Sequence, residues 1–283
     1  MKINKKKLLS AIFLLLAVSV VLLLAFMRKE PKKEPYSIIF ISKIIDDSDF
    51  WTQLIDGTKA AAQEYGVDLS VRAPEAEDDY EMQNILIEQA ISEHPDAIVL
   101  TPASYTETTP LARKIVDSGI RLLLLDSEIN EDVEECIIST DNIKAGQLQG
   151  SYVREILKPD SQIAVIAHVK NSSTAIEREK GLREGLGEEQ GKIADVVFCD
   201  SNYEKAYQLM LGVLEKHPDV DVVVGLNEYS AVGAARAIVD KGLAGEISFV
   251  GFDSSLEEIK MLEAGIFQGM VIQNPFKMGY LGV

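Results

Sequence analysis

The sequence predicts an α/β protein built from two lobes of like topology, and three observations lead there. From Ser37 onward, short and nearly continuous apolar runs alternate with stretches of helical periodicity. That is the pattern of parallel strands covered by helices on both faces. The pattern also repeats: "SEHPDAIVL" at 92–100 is echoed by "EKHPDVDVV" at 215–223. Finally, His94 and His217, Ser37 and Gln162, and Asp126 and Asp253 are separated by 123, 125 and 127 residues, nearly one offset.

Taken in order, the chain opens on "LLSAIFLLLAVSVVLLLAFM" (Leu8–Met27), which carries no charge. Such a run is long enough to cross the roughly 30 Å hydrocarbon layer as a helix. It exceeds the ~7–15-residue apolar region of a secretory signal, and Ala25-Phe26-Met27 is a poor cleavage site. No Cys follows it to carry a lipid. The expectation is an uncleaved anchor, with a cleaved signal peptide as the alternative. Basic residues flank both ends and give no vote on orientation; a short N-terminal tail in the cytosol places the body outside the membrane. Residues 1–35 are therefore assigned to tail, anchor and the basic linker "RKEPKKEP".

Ten strands are predicted beyond that linker. They are "SIIFIS" (37–42), "DLSVRA" (68–73), "AIVLT" (97–101), "RLLLL" (121–125) and "CIIST" (136–140) in the first half. In the second half come "QIAVIA" (162–167), "ADVVFC" (194–199), "DVVVG" (221–225), "ISFVG" (247–251) and "GMVIQ" (269–273). The helix "DFWTQLIDGTKAAAQEYG" ends on Gly66, as a helix C-terminus favours. His94 and His217 read as helix-terminal residues ahead of Pro-Asp, and His168 as a strand-end residue. Cys136 and Cys199 lack metal-ligand spacing and are expected to be buried free thiols.

Charge narrows the function. The formal net charge is −17, and residues 1–33 hold eight of the 28 Lys and Arg but one of the 45 acids. A body so acidic repels nucleic acid phosphates, which excludes nucleic acid as a partner. No G-x-G-x-x-G follows a strand, and neither a phosphate-cradling G-x-x-x-x-G-K-[ST] nor a G-x-S-x-G elbow occurs. "DDSDF" (Asp46–Phe50) lacks the Gly and distal Glu of a calcium loop and reads as an acid-rich helix start. No cofactor, metal or catalytic residue is expected.

Two runs end alike, "LLLLDSE" (122–128) and "VGFDSS" (250–255), so Asp126 and Asp253 close the fourth strand of each lobe. Ligands collect beyond the carboxyl ends of parallel strands, although Asp or Ser there also caps a following helix. Other strand-end groups are Ser42, Ser48, Phe50, Trp51, Thr101, Asn227, Phe252 and Gln273. Polar groups that exchange hydrogen bonds with hydroxyls, beside flat apolar rings, suit a sugar.

The order of "DFWTQLIDGTKAAAQEYG", "AIVLTPAS", "LLLLDSE", "ISTDNIKAGQLQG", "AIEREKGLREGL", "VVGLNEYSAVGAARAI", "SFVGFDSS" and "GMVIQNPFKMGYLGV" resembles the periplasmic sugar-binding proteins of the ribose and galactose type. The resemblance implies two hinged Rossmann-like lobes, at 36–141 and 142–272, with 273–283 returning to the first. It implies Phe50 and Trp51 as a ring-stacking pair, with Ser48 where Asn is frequent. Asp126, Arg178, Asn227 and Asp253 are implied as hydroxyl binders, Tyr203 and Phe252 as second-lobe aromatics, and Gln273 as a hinge residue. Arg178 and Tyr203 come from the resemblance alone.

Ser127 stands where the ribose type has Arg, and Thr101 where Asn is common, which leaves the particular sugar or polyol open. The chain stops at "GYLGV" as a helix begins, so a truncated C-terminus is expected. The expected function is a membrane-tethered solute-binding protein whose closed form is read by an ABC transporter permease or a sensor kinase. A regulator with a DNA-reading module and a glycoside-cleaving carboxylate pair are the rivals.

Overall fold

The computed structural model describes residues 9–10, 12–20 and 35–283. Residues 9–10 and 12–20 are helical and exposed, in a unit separate from Tyr36–Val283. Much of the predicted span Leu8–Met27 lies outside the described residues. Among the described residues no helix is long and apolar enough to cross a membrane.

All ten predicted strands are present in Tyr36–Val283. The first sheet comprises β1 (Ser37–Ile41), β2 (Asp68–Arg72), β3 (Ala97–Leu100), β4 (Arg121–Leu125) and β5 (Cys136–Ile138). The second comprises β6 (Gln162–Ala167), β7 (Ile193–Phe198), β8 (Val220–Gly225), β9 (Ser248–Phe252) and β10 (Phe267–Val271). Spatial order is β2-β1-β3-β4-β5 in one and β7-β6-β8-β9-β10 in the other. Every pairing is parallel. The two orders are the same, so the offset read from the sequence reflects a repeated topology.

Helices cover both faces, as fully apolar central strands require. In the first lobe they are α1 (Asp49–Tyr65), α2 (Tyr80–Glu93) and α3 (Thr109–Asp117). The second lobe has α4 (Asn142–Ile156), α5 (Ser173–Leu186), α6 (Tyr203–Lys216), α7 (Glu228–Asp240) and α8 (Leu256–Glu263). The last helix, α9 (Pro275–Leu281), returns to pack on α1. His94 is the C-cap of α2 at φ 51°, and His217 closes α6, both as predicted.

Cys199 is buried, and burial pushes its thiol up to about 12. The expectation for Cys136 is corrected: it is free but exposed. It opens β5, the edge strand of its sheet, where only one neighbour covers the side chain.

Glycines set how closely α4 and α5 approach. A Cβ on Gly181 of α5 would lie 2.1 Å from the Ile143 carbonyl oxygen, and one on Gly146 of α4 would lie 2.4 Å from that of Arg178. This contact fixes Asn142 and Arg178 relative to one another. Gly181→Ala should therefore cost about 1–3 kcal/mol by overpacking and lower the melting temperature. Gly212, inside α6 with open space around it, is the contrast. Gly212→Ala should leave the melting temperature unchanged or raise it, since Gly costs a helix interior roughly 0.5–1 kcal/mol. Equal effects in a thermal melt would contradict the close-approach account.

Candidate functional site

Asp126 and Asp253 follow β4 and β9 directly, both with positive φ, 65° and 89°. Each backbone N–H still donates to the neighbouring strand, Asp126 to the Ile138 carbonyl (2.9 Å) and Asp253 to that of Val271 (2.8 Å). The left-handed turn thus leaves the ladder intact while the carboxylates enter the cleft. Neither Asp caps the helix that follows it. Ser255 caps α8 in a capping box with Glu258, and Asp141 caps α4.

Both carboxylates are held. The Lys43 ammonium donates to Asp126 Oδ2 at 3.0 Å, and the Ser127 hydroxyl to the same oxygen at 2.6 Å. Gln273 Nε2 donates to Asp253 Oδ1 at 2.6 Å, and the Glu228 N–H to Oδ2 at 2.9 Å. Thr140 Oγ1 donates to Gln273 Oε1 at 2.6 Å, which ties together the segments leaving β5 and β10.

The cleft between the lobes closes over a cavity of about 20 Å³, far below the ~300–1,000 Å³ typical of ligand sites. The closed lobes therefore hold no room for a small solute until they part or the lining side chains move. Phe50, Trp51 and Asp126 line it from the first lobe; Arg178, Asn227 and Asp253 line it from the second, with Gln273 on the crossing segment. Phe50 and Trp51 meet edge to face, 5.0 Å between centroids. Arg178 is buried, donating from Nε to Asn142 Oδ1 (2.9 Å) and from Nη1 to the Leu226 carbonyl (2.8 Å). Burial pulls the guanidinium down from its ordinary value, while Asp253 and Asp126 oppose that. Asn227 caps α7 through Oδ1 and donates from Nδ2 to Ser201 Oγ at 3.3 Å.

Three predicted site residues stand outside this lining. Phe252 is fully buried beneath Arg178, whose guanidinium lies 3.8 Å from its ring centroid. That stacking fixes the plane of the guanidinium. Ser48 and Tyr203 sit instead where the lobes touch. The Tyr229 hydroxyl donates to Asp46 Oδ2 (2.5 Å) across the cleft and lies 3.0 Å from Ser48 Oγ, and within the second lobe the Tyr203 hydroxyl donates to Glu228 Oε1 (2.6 Å).

Glu228 is the centre of that contact. Ser48, the N-cap of α1, makes no side-chain cap, so the orphan N–H groups of Asp49 (3.3 Å) and Phe50 (3.1 Å) donate across the cleft to the Glu228 carboxylate. In return, Leu256 at the start of α8 donates its N–H to Asp49 Oδ2 at 2.7 Å. Each lobe caps a helix of the other. Burial pushes Glu228 up to about 7, opposed by the Tyr203 hydroxyl and reinforced by nearby Asp253.

Sequence reasoning missed six lining residues: Lys43, Glu77, His168, Thr174, Glu228 and Tyr229. Lys43 follows the strand-end Ser42, and Glu228 and Tyr229 follow Asn227, so the strand-end criterion could have reached them. Glu77 lies in the loop between β2 and α2 and carries no such signal. Among the described residues no His, Cys, Asp and Glu group could hold a metal ion.

Two lobes of one topology, closing over a small polar cavity at their strand ends, define a binding protein for a small solute. The chain belongs to the periplasmic binding protein domain family, whose model matches residues 38–283. Its relatives include the D-ribose/D-allose-binding protein of Pseudomonas aeruginosa, 26% identical over all of this chain and 90% of that protein. The D-allose-binding periplasmic protein of Escherichia coli is also 26% identical, over 83% of this chain and 78% of its own length. A sugar transporter structure from Clostridium phytofermentans is 46% identical with a TM-score of 0.84, covering 88% of this chain and 90% of that one. The relatives are binding and transport proteins, not enzymes.

Glu228 generates a pH prediction. Its folded-state value lies above the ordinary 4.5, so it contributes stability below about 4.5 that is lost as pH rises through about 7. Glu77 and Asp253, also raised by burial, act in the same sense. The melting temperature should fall between pH 5.5 and pH 8, and Glu228→Gln should make that fall shallower. Identical slopes for both proteins would contradict the assignment.

Proposed function

We infer that this chain is an extracytoplasmic solute-binding protein that closes its lobes on a monosaccharide or similar polyol. The closed form is presented to an ABC transporter permease. The observation that carries this reading is the convergence of Asp126 and Asp253, topological equivalents in two like lobes, on one cavity with Arg178 and the Phe50–Trp51 pair. Carboxylates accept from sugar hydroxyls, the guanidinium donates, and the rings pack on C–H faces. The named ligands of the relatives, ribose and allose, support this class.

The lobes are assigned to 36–141 and 142–272, with 273–283 returning to the first. Closure turns on the two segments that Thr140 and Gln273 join. Ser48 and Tyr203 serve closure, Phe252 serves Arg178, and the remaining predicted residues contact ligand. The body is tethered to the membrane; the support for this is the uncharged run Leu8–Met27.

Asp253→Asn tests the reading, because Asn tolerates the left-handed backbone and is nearly isosteric. A hydrogen bond to a charged group is worth about 1.5–3 kcal/mol, so the dissociation constant should rise roughly tenfold to a hundredfold. Isothermal calorimetry with D-ribose and D-allose measures it. Unchanged affinity would remove Asp253 from the site.

A further inference from the structure

Two buried polar atoms in the cleft have no hydrogen-bond partner among the described residues, Glu77 Oε2 and His168 Nδ1. Both side chains line the cavity, and they reach it from opposite lobes. Glu77 is 4% exposed, on the loop between β2 and α2; His168 is 2% exposed and follows β6. Desolvated polar atoms left unpaired are costly, and a fold keeps few of them without a reason.

Each group is also held in place by its other atom. Glu77 Oε1 lies 3.8 Å from the Lys43 ammonium, which is itself fixed on Asp126 and lies 5.8 Å from the Trp51 ring centroid. His168 Nε2 pairs with Thr174 Oγ1 at 2.9 Å. One oxygen and one nitrogen are therefore held, while the second atom of each is buried without a hydrogen-bond partner beside the cavity that its side chain lines. The Ser201 hydroxyl also approaches Glu77 and opposes the rise that burial gives its carboxyl. Burial, with Arg178 and Lys43 nearby, holds His168 well below its ordinary value, so the ring is neutral and offers one donor and one acceptor nitrogen.

The charge around the cavity limits what fills it. Four carboxylates line it, Glu77, Asp126, Glu228 and Asp253, against the cations Lys43 and Arg178. A ligand carboxylate or phosphate would bring a further charge into a desolvated site where burial already biases the carboxyls of Glu77, Glu228 and Asp253 toward their neutral form. Ligand hydroxyls would instead satisfy the unpaired atoms without adding charge.

We propose that Glu77 and His168 are specificity-determining residues of the cleft, each pairing with a hydroxyl of the bound ligand, and that they restrict it to uncharged polyhydroxylated rings. This rests on the reading of the chain as a sugar-binding protein. Glu77 sets the stronger constraint, since its second oxygen is buried with no partner and, ionised or protonated, a carboxyl oxygen left unpaired in the closed cleft is costly. A ligand that lacks a hydroxyl at that place leaves the carboxylate buried and unpaired, and is rejected for that reason.

The test uses the full chain with D-ribose, D-allose, D-glucose, D-arabinose and myo-inositol as probes, and D-gluconate and D-ribose 5-phosphate as anionic counterparts. Calorimetry identifies the tightest neutral probe. For that probe, Glu77→Gln should raise the dissociation constant at least about tenfold. Its ligand-free melting temperature should stay level or rise, because an unpaired buried carboxylate has been removed. His168→Gln, which preserves a group near Thr174 and deletes the second nitrogen, should also weaken binding. Glu77→Asp keeps the charge beside Lys43 and withdraws the oxygen from the cavity, so it should lose affinity too and serves if Glu77→Gln does not fold. The anionic probes should give no measurable heat. Wild-type affinity in the Glu77 variants overturns the proposal, as does a lowered melting temperature with unchanged affinity, which would make Glu77 a structural counter-ion. Tight binding of an anionic probe also overturns it. A wild-type chain that binds none of the probes instead overturns the sugar-binding reading itself.

Discussion

Two aspartates held in the left-handed backbone region govern the architecture of the cleft. A non-glycine residue there costs roughly 1–3 kcal/mol, and Asp is among the few that accept it. At Asp126 and Asp253 the turn lets the last N–H of the strand complete the sheet while the carboxylate leaves it. Lys43 is placed by Asp126, and Gln273 and the start of α7 are placed by Asp253. Because both lobes use the same device at the same strand, closing one on the other brings both acids to one cavity.

Closure itself is a problem of unsatisfied helix ends. The start of α1 lacks a cap from its own segment, and the start of α8 has one N–H beyond its capping box. Glu228 and Asp49 supply the missing acceptors from opposite sides of the cleft. Open lobes would leave these groups to water, so the contact adds a modest and reversible gain to the closed form. That suits a protein whose two states must lie within reach of ligand binding energy. The desolvation of Glu228 makes the same contact sensitive to protons near neutrality.

Much of the fold was legible because buried parallel strands leave continuous apolar runs, and "HPD" and "DS" recur at one offset. The strand-end rule then reached Asp126, Asn227, Asp253 and Gln273 without reference to shape. What stayed hidden depends on partners distant in the chain. Glu228 stands at the first position of a helix, where an acid is expected for the dipole, and nothing local shows that its partners are the amides of Asp49 and Phe50. Glu77 and Lys43 are ordinary charged residues until the fold buries them together. Ser48 and Tyr203 sit near the cleft, yet their hydroxyls are committed to neighbours in their own lobes, Ser48 to Asp46 and Tyr203 to Glu228. The exposure of Cys136 follows from the short edge strand it opens, a placement that an apolar run does not reveal.

Trp51 gives the most direct measurement of the central claim, that a sugar binds in the cavity between the lobes. It is the only tryptophan in the chain, it is 2% exposed, and its ring lines that cavity. Fluorescence excited at the indole therefore reports on this place and no other. Titration with the sugar that calorimetry shows to bind should produce a saturable change in intensity or emission maximum, with the same dissociation constant by both methods. An indole spectrum unmoved at saturation would place the ligand elsewhere and contradict the account.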